Sequence, residues 1–296
     1  MEPVEQARQS YAKELRFTAR VRSSAVVNAF ATVPREQFVG PGPWRIKSPM
    51  DLAEYWTTDD DDPSHVYHDV LIALDEPRGI NNGQPSLWAC LFDHLNLVPR
   101  EQVLHLGSGT GYYTAILAKL TGPAGSVIAY EIEPDLAQSA IRNLKSQPNV
   151  TIRPVSATVG ILPECDAIYV NAGATDPLDL WLNALRPSGR LLFPLTPSEG
   201  PDGMPGVGGM LLLTRVTADS FHARFLSSAI FIPCVGARDE TSSAKLTECF
   251  RRGDMRSVHS FHRNRPSDQT CWCSGKHWWL STSALPCPDQ KQAKIL

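Results

Sequence analysis

The hydrophobic pattern changes period along the chain, and each change marks an element. The first thirty residues carry apolar positions at helical spacing, ended by the proline and glycine of "VPREQFVGPGPW" (Val33 to Trp44). "TTDDDDPS" reads as an acidic exposed loop, and "VYHDVLIALD" as a strand. "GINNGQPSLWACLFDHLNLVP" is a loop feeding a helix, with Trp88, Leu91, Phe92 and Leu95 on its packing face. From Gln102 strands and helices alternate. "QVLHLG" is a strand, then "YYTAILAKLTG" a helix with Tyr113, Ile116, Leu117 and Leu120 on one stripe and Gly122 placed to end it. "SVIAYE" is a second strand, followed by a helix with Ala137, Ala140, Ile141 and Leu144 inward. "VTIRPV" and "CDAIYVNAG" are the third and fourth strands; helical "PLDLWLNAL" leads to a fifth, "RLLFPL".

Strands alternating with helices predict an α/β fold, a mostly parallel sheet covered on both faces. "GGMLLLTRV" and "FHARFLSSAIFIPCV" are separated only by a turn and should pair antiparallel at the C-terminal end of that sheet. Beyond Val235 the pattern predicts one helix in "RDETSSAKLTECFRRGDM" and a strand pair or edge strand in "CWCSGKHWWLSTSA". Three segments result: 1–98, a helical cover with a loop that the family resemblance given below places on the substrate side; 99–236, the core; and 237–296, a C-terminal extension.

Composition narrows the class without naming a reaction. The chain has 296 residues, 42% hydrophobic and 20% charged, which suits a protein with a real core. A net charge of −3 exerts no global pull toward nucleic acid or anionic lipid, and no apolar run is long enough to span a membrane. The start, "MEPVEQARQSYAKELRF", is unlike a signal peptide. Seven cysteines, an odd number running from Cys90 to Cys287, are therefore expected as reduced thiols in a cytoplasm.

Gly107, Gly109 and Gly111 form G-x-G-x-G between a strand and a helix. Such a turn lets the backbone approach a ligand, and the helix N-terminus behind it suits an anionic group. Glu131 ends the next strand, twenty positions after Gly111, where a carboxylate can accept both ribose hydroxyls. Dinucleotides and S-adenosylmethionine share that acid. The glycine spacing departs from G-x-G-x-x-G, whose third glycine would fall at Tyr112, and together with the antiparallel finish it favours S-adenosylmethionine.

Four stretches taken in order go further. "VPREQFV", "GINNGQPSLWACLFDHL", "VLHLGSGTGYYTAILA" and "CDAIYVNAGA" with "LRPSGRLLFPL" resemble the protein-L-isoaspartate O-methyltransferase family, from about Val33 to Val235. The resemblance implies a class I, Rossmann-like methyltransferase transferring methyl from S-adenosylmethionine to a protein or peptide carboxylate. It implies that Gly107, Ser108, Gly109 and Gly111 wrap the methionine part of the donor and that Glu131 holds its ribose. Ile132 would lie against adenine, with Ser156 and Ala157 near its edge, where the family has Asp-Gly. Asn82 and Gly83 would lie near the reacting methyl; Gly83 stands where the family carries serine, and Asn81 where it carries threonine. A carboxylate is already ionised at neutral pH, so such chemistry needs no strong base. Methylation of a small molecule on the same scaffold, or a donor-binding module acting through a partner, are the competing readings.

Three other features have less specific readings. Asn171, in "NAGA", fits a site facing the methyl group or an asparagine satisfying its loop. His259, His262, Cys271 and Cys273 match zinc spacings poorly, so no metal is expected, and Trp272, Trp278 and Trp279 are expected in packing. "RRGDMRSVHSFHRNR" is a basic run, read as a solvated face or as a steering patch for an acidic peptide or partner. Its arginines are not interleaved with aromatics, which argues against nucleic acid.

Overall fold

Pro3 begins the first helix, α1 (Pro3–Thr18), at a position where its missing N–H breaks no helical bond. Ser23 accepts from the N–H of Val26 and so caps α2 (Ser24–Thr32). The computed structural model describes residues 2–198 and 206–286, and the chain divides into two compact units, 1–157 and 158–296.

In the first unit, β1 (Arg45–Ser48), β2 (Asp51–Thr57), β3 (Leu71–Asp75) and β4 (Ile80–Asn81) form an antiparallel sheet in the order β2-β1-β3-β4. The β1–β2 hairpin has no clean apolar alternation. Ile46 is the one deeply buried residue of β1, which is why the pattern did not announce it. Arg35, wholly buried in a short 3₁₀ turn, holds the approach to β3: its guanidinium donates to the carbonyls of Val66 (2.8 Å), His68 (2.9 Å) and Val70 (2.8 Å).

After α3 (Pro85–Leu95), β5 (Gln102–Leu106), β6 (Ser126–Tyr130) and β7 (Val150–Arg153) lie parallel, connected through α4 (Tyr112–Thr121) and α5 (Pro134–Asn143). Trp88, Leu91, Phe92 and Leu95 are buried, as are Tyr113, Ile116, Leu117 and Leu120. On α5 the buried stripe is narrower than expected. Ala137, Ala140 and Leu144 face inward, while Ile141 is 40% exposed on the rim.

In the second unit, β8 (Cys165–Val170) runs parallel to β9 (Leu185–Leu195), with α6 (Asp179–Ala184) between them. β10 (Gly208–Arg215) and β11 (Ser220–Ala229) add the expected antiparallel pair. Past α7 (Glu240–Arg252), three further strands continue the sheet: β12 (Ser260–Arg263), β13 (Cys271–Ser274) and β14 (Trp278–Ser281), in the order β13-β14-β12-β11. Trp272, Trp278 and Trp279 are buried, as packing required.

The thiol expectation needs correction. Cys249 of α7 and Cys273 of β13, with Cα atoms 5.7 Å apart, form a disulfide, whereas Cys90, Cys165, Cys234 and Cys271 are free. Their separation of 24 residues hides a contact that only the packing of α7 on the sheet creates. Cys287 lies outside the described residues. Among the described residues, no helix is long and apolar enough to cross a membrane.

Candidate functional site

The chain leaves β5 at Leu106 and turns through Gly107, Ser108 and Gly109 to Gly111 before α4 begins. The three glycines take φ of 80°, 55° and 98°. The N–H groups of Gly107 and Ser108 both donate to the Tyr130 carbonyl, at 2.8 and 3.1 Å, which fastens the turn to the end of β6. A Cβ on Gly111 would stand 2.7 Å from Leu144 Cδ1, so the approach of α4 to the end of α5 requires glycine there. No side chain caps the start of α4, whose first N–H groups lie beyond the reach of intrahelical bonding.

Glu131 comes directly after β6. Its side chain is buried; Oε2 accepts from the N–H of Gly109 (2.6 Å) and Oε1 from that of Glu133 (3.0 Å). Burial pushes its carboxyl above the ordinary glutamate range, against the opposing pull of the amides of Glu133, Gly109 and Ile132. Each oxygen retains acceptor capacity. Beside it Ile132 presents an apolar side chain, 44% exposed. The Glu131 N–H donates to the Arg153 carbonyl of β7 (3.1 Å), and Ser156 and Ala157 lie three and four residues beyond that strand's end. The expected donor-side residues therefore gather at the carboxyl ends of three parallel strands, the side on which α/β sheets bind ligands.

The loop between β4 and α3 meets this turn. Asn82 is buried, its N–H donating to the Ile72 carbonyl (2.8 Å) and its Oδ1 lacking a hydrogen-bond partner among the described residues. Gly83 has φ 78°, and its N–H donates to Asn81 Oδ1 (2.8 Å). Its carbonyl accepts from the hydroxyl of Tyr113 (3.2 Å), the second residue of α4. Gly83 is thus tied to the helix that grows from the glycine turn. A Cβ on Gly83 would overlap the indole nitrogen of Trp88.

Several contributors were not legible in the sequence. Asp69 accepts from the N–H of Ser86 (2.8 Å) and from Gln84 Nε2 (3.0 Å), holding the start of α3 from seventeen residues away. Arg78 pairs with Asp75 and with Glu133, linking the loop before β4 to the residue two past Glu131. Neither has a local signature, because each acts across a separation that only the fold closes. The Val-Pro-Arg of "VPREQF" was the one available hint to Arg35.

The residues present suit S-adenosylmethionine. Glu131 offers a buried acceptor for a ribose diol, Ile132 an apolar surface for a purine, and the glycine turn a close backbone approach, the N–H groups of Gly107, Ser108, Gly109 and Gly111 being bonded within the protein. Ser108 adds a buried hydroxyl without a hydrogen-bond partner among the described residues. In the second unit, Asn171 succeeds β8 and precedes Gly173, whose N–H and C=O bond Ile232 and Cys234 (both 2.8 Å). The zinc candidates separate. Cys273 is in the disulfide, His262 lies between the hydroxyls of Ser220 (3.5 Å) and Ser260 (2.9 Å), and no group of three or more metal-ligating side chains forms among the described residues.

Fold and site together define a class I methyltransferase. Comparison with known proteins gives the particular family: the chain belongs to the protein-L-isoaspartate(D-aspartate) O-methyltransferase family (PCMT), whose profile matches residues 6–239. The protein-L-isoaspartate O-methyltransferase of Methanopyrus kandleri is 29% identical over 239 residues, covering 78% of this chain and 92% of the relative. That of Methanothrix thermoacetophila is 33% identical, covering 72% and 89%. A solved protein-L-isoaspartate O-methyltransferase superposes with a TM-score of 0.62 at 22% identity, over 83% of this chain and 68% of that one. A putative Plasmodium falciparum homologue, solved with S-adenosyl-L-homocysteine, gives 0.59 at 19%, over 77% and 98%. These two share the fold.

Proposed function

We propose that the protein methylates a carboxylate of a protein or peptide, using S-adenosylmethionine. The contact between Gly109 and Glu131, beside the Tyr113–Gly83 bond, carries this reading, because it sets a ribose-holding acid and an acceptor-side loop against one glycine turn. The donor supplies an electrophilic methyl on a sulfonium. Glu131 accepts from its ribose, Gly107, Ser108, Gly109 and Gly111 hold its methionine end, and Ile132 lies against adenine with Ser156 and Ala157 at the rim. Gly83 and Asn82 border the acceptor. Since a carboxylate with a pKa of about 4 is ionised at neutral pH, the chain's task is alignment and exclusion of water rather than proton removal. Segments 1–98, 99–236 and 237–296 then serve as cover, donor-binding core and added surface. Residence in the cytoplasm is part of this reading, supported by the four free thiols among the described residues and opposed by the Cys249–Cys273 disulfide.

Trp88 favours a second acceptor. A serine at position 83, as the family carries, would displace this indole, and with that serine replaced by glycine an ordinary aspartate or a dedicated peptide is the second acceptor proposed beside an isoaspartyl residue. Radiolabelled donor offered with an isoaspartyl peptide and its aspartyl twin separates the two. Base-labile label in the isoaspartyl peptide alone establishes repair-type activity; label in the twin alone establishes modification of normal aspartate. Label in neither, with donor binding intact, rejects methylation of generic peptides.

A further inference from the structure

The family match stops at residue 239, and the chain beyond it has a charge opposite to that of the whole. Between Arg251 and Pro286 stand six lysines and arginines against two aspartates, in a chain of net charge −3. Arg251 is paired with Glu248, and Arg263 with Asp179 and Asp219. Arg265 and Lys276 join no ion pair among the described residues; both line a cleft of about 420 Å³ between the loop 264–267 and the β13–β14 turn, with Ser267, His277 and Trp279.

The cleft is held in shape from below. Asn264, at φ 57°, donates its N–H to the His277 carbonyl (3.0 Å) and its side-chain amide to Asp219 (2.8 Å). The Gly275 N–H donates to the Trp278 carbonyl (2.9 Å). The Arg265 guanidinium lies 5.5 Å from the centroid of the Trp279 ring, a contact that orders it without neutralising it. Trp279 is buried, and its indole N–H has no acceptor among the described residues. Asp268 and Asp239 interact electrostatically with Arg265 and Lys276 respectively; Asp268 Oδ1 accepts from the N–H and hydroxyl of Thr270, and Asp239 Oδ1 accepts from the N–H of Ser242. Two cations outside any ion pair among the described residues, one of them ordered, around open space suit a carboxylate.

Two observations choose a polypeptide over a nucleic acid and place it. Trp278 is stacked on Phe261, and Trp279 lies 4.5 Å from His262, so neither buried ring offers a face for a base. Trp278 Nε1 also donates to Asp176 (2.7 Å), which accepts from Ser242 (3.0 Å) and Thr175 (3.0 Å) as well. The extension is thereby fastened to the loop after β8, at the carboxyl end of that strand.

We propose that this cleft binds an acidic stretch of the polypeptide that carries the methyl acceptor; the proposal rests on the protein- or peptide-methylating function above. The test titrates the full chain with fluorescein-labelled hexaglutamate, with hexaglutamine and a single-stranded oligonucleotide as comparisons. Hexaglutamate is expected to bind, hexaglutamine at least tenfold more weakly, with affinity falling as salt rises. Arg265→Ala with Lys276→Ala should weaken hexaglutamate tenfold or more, and Lys276→Glu alone, at an exposed turn, several-fold. Arg251→Ala should leave it unchanged. Equal binding by wild type and the cleft variants, or tighter binding of the oligonucleotide, overturns the proposal. The titration needs no methyl transfer. A protein that holds hexaglutamate through Arg265 and Lys276 yet methylates no polypeptide instead overturns the function proposed above, and with it the link to an acceptor.

Discussion

Glu131 Oε2 accepts the backbone N–H of Gly109 at 2.6 Å, so the acid ending β6 and the turn after β5 form one structural unit. Glu131→Gln keeps the shape and removes the charge. At about 1.5–3 kcal/mol for each hydrogen bond to a charged group, donor affinity should fall roughly ten- to hundredfold or more, read by calorimetric titration with S-adenosylmethionine. Unchanged affinity would remove Glu131 from the ribose.

The same burial gives a pH dependence. Because the folded carboxyl titrates above the ordinary value of about 4.3, wild-type donor affinity should decline as pH drops through a midpoint above that value, and the Glu131→Gln profile should stay flat. For stability the sign is reversed. An acid with a raised folded pKa favours the folded state when protonated, so this contribution is full at low pH and lost as pH rises through the folded pKa.

Gly83 and Trp88 should be energetically coupled. Gly83→Ala places a side chain at φ 78° and against the indole, at an expected cost of about 1–3 kcal/mol. Trp88→Val opens the space, and a double-mutant cycle by urea denaturation should show a coupling of about 1 kcal/mol or more. Strict additivity would mean that the indole does not restrict position 83.

Arg35 bonds three carbonyls with one buried fork. Arg35→Met leaves them unsatisfied and should cost about 3 kcal/mol or more. Arg35→Lys should recover only part, because an ammonium lacks the planar fork. Chemical denaturation reads both, and full recovery by lysine would contradict the geometric account.

His105, wholly buried with Nδ1 2.8 Å from the Thr114 hydroxyl, is held neutral by desolvation, its pKa lowered to about 3. A depressed pKa contributes stability that is fully present above the unfolded value of about 6.5 and is lost as pH falls toward the folded value. The melting temperature should therefore drop between pH 6.5 and 4, and His105→Asn should flatten part of that slope.

The Cys249–Cys273 disulfide closes a 24-residue separation, which chain entropy values at about 3.5 kcal/mol. Thiol reductant should lower the melting temperature of the wild type and leave Cys249→Ser unaffected. Equal sensitivity of both would show that the bond does not stabilise the extension.

Much of the architecture is written locally. The period change at Gln102, the stripes of α3 and α4, and the glycine turn with its acid each need only neighbours a few residues apart, and so they are readable from the chain. β1 and β12 are not, because a strand of four residues leaves little alternation to find. Ile141 shows the same limit, since a helix stripe predicts a direction and not the width of the buried face.

By itself, the sequence determined the class of fold, the glycine turn and Glu131, because backbone conformation at glycine and strand–helix periodicity are local properties. Tertiary structure alone decided that Tyr113 holds Gly83, that Asp69 holds α3, that Trp88 occupies the space of a side chain at position 83, and that Cys249 meets Cys273. Each of those contacts joins residues whose separation along the chain carries no periodic signal, and only packing brings them within bonding distance.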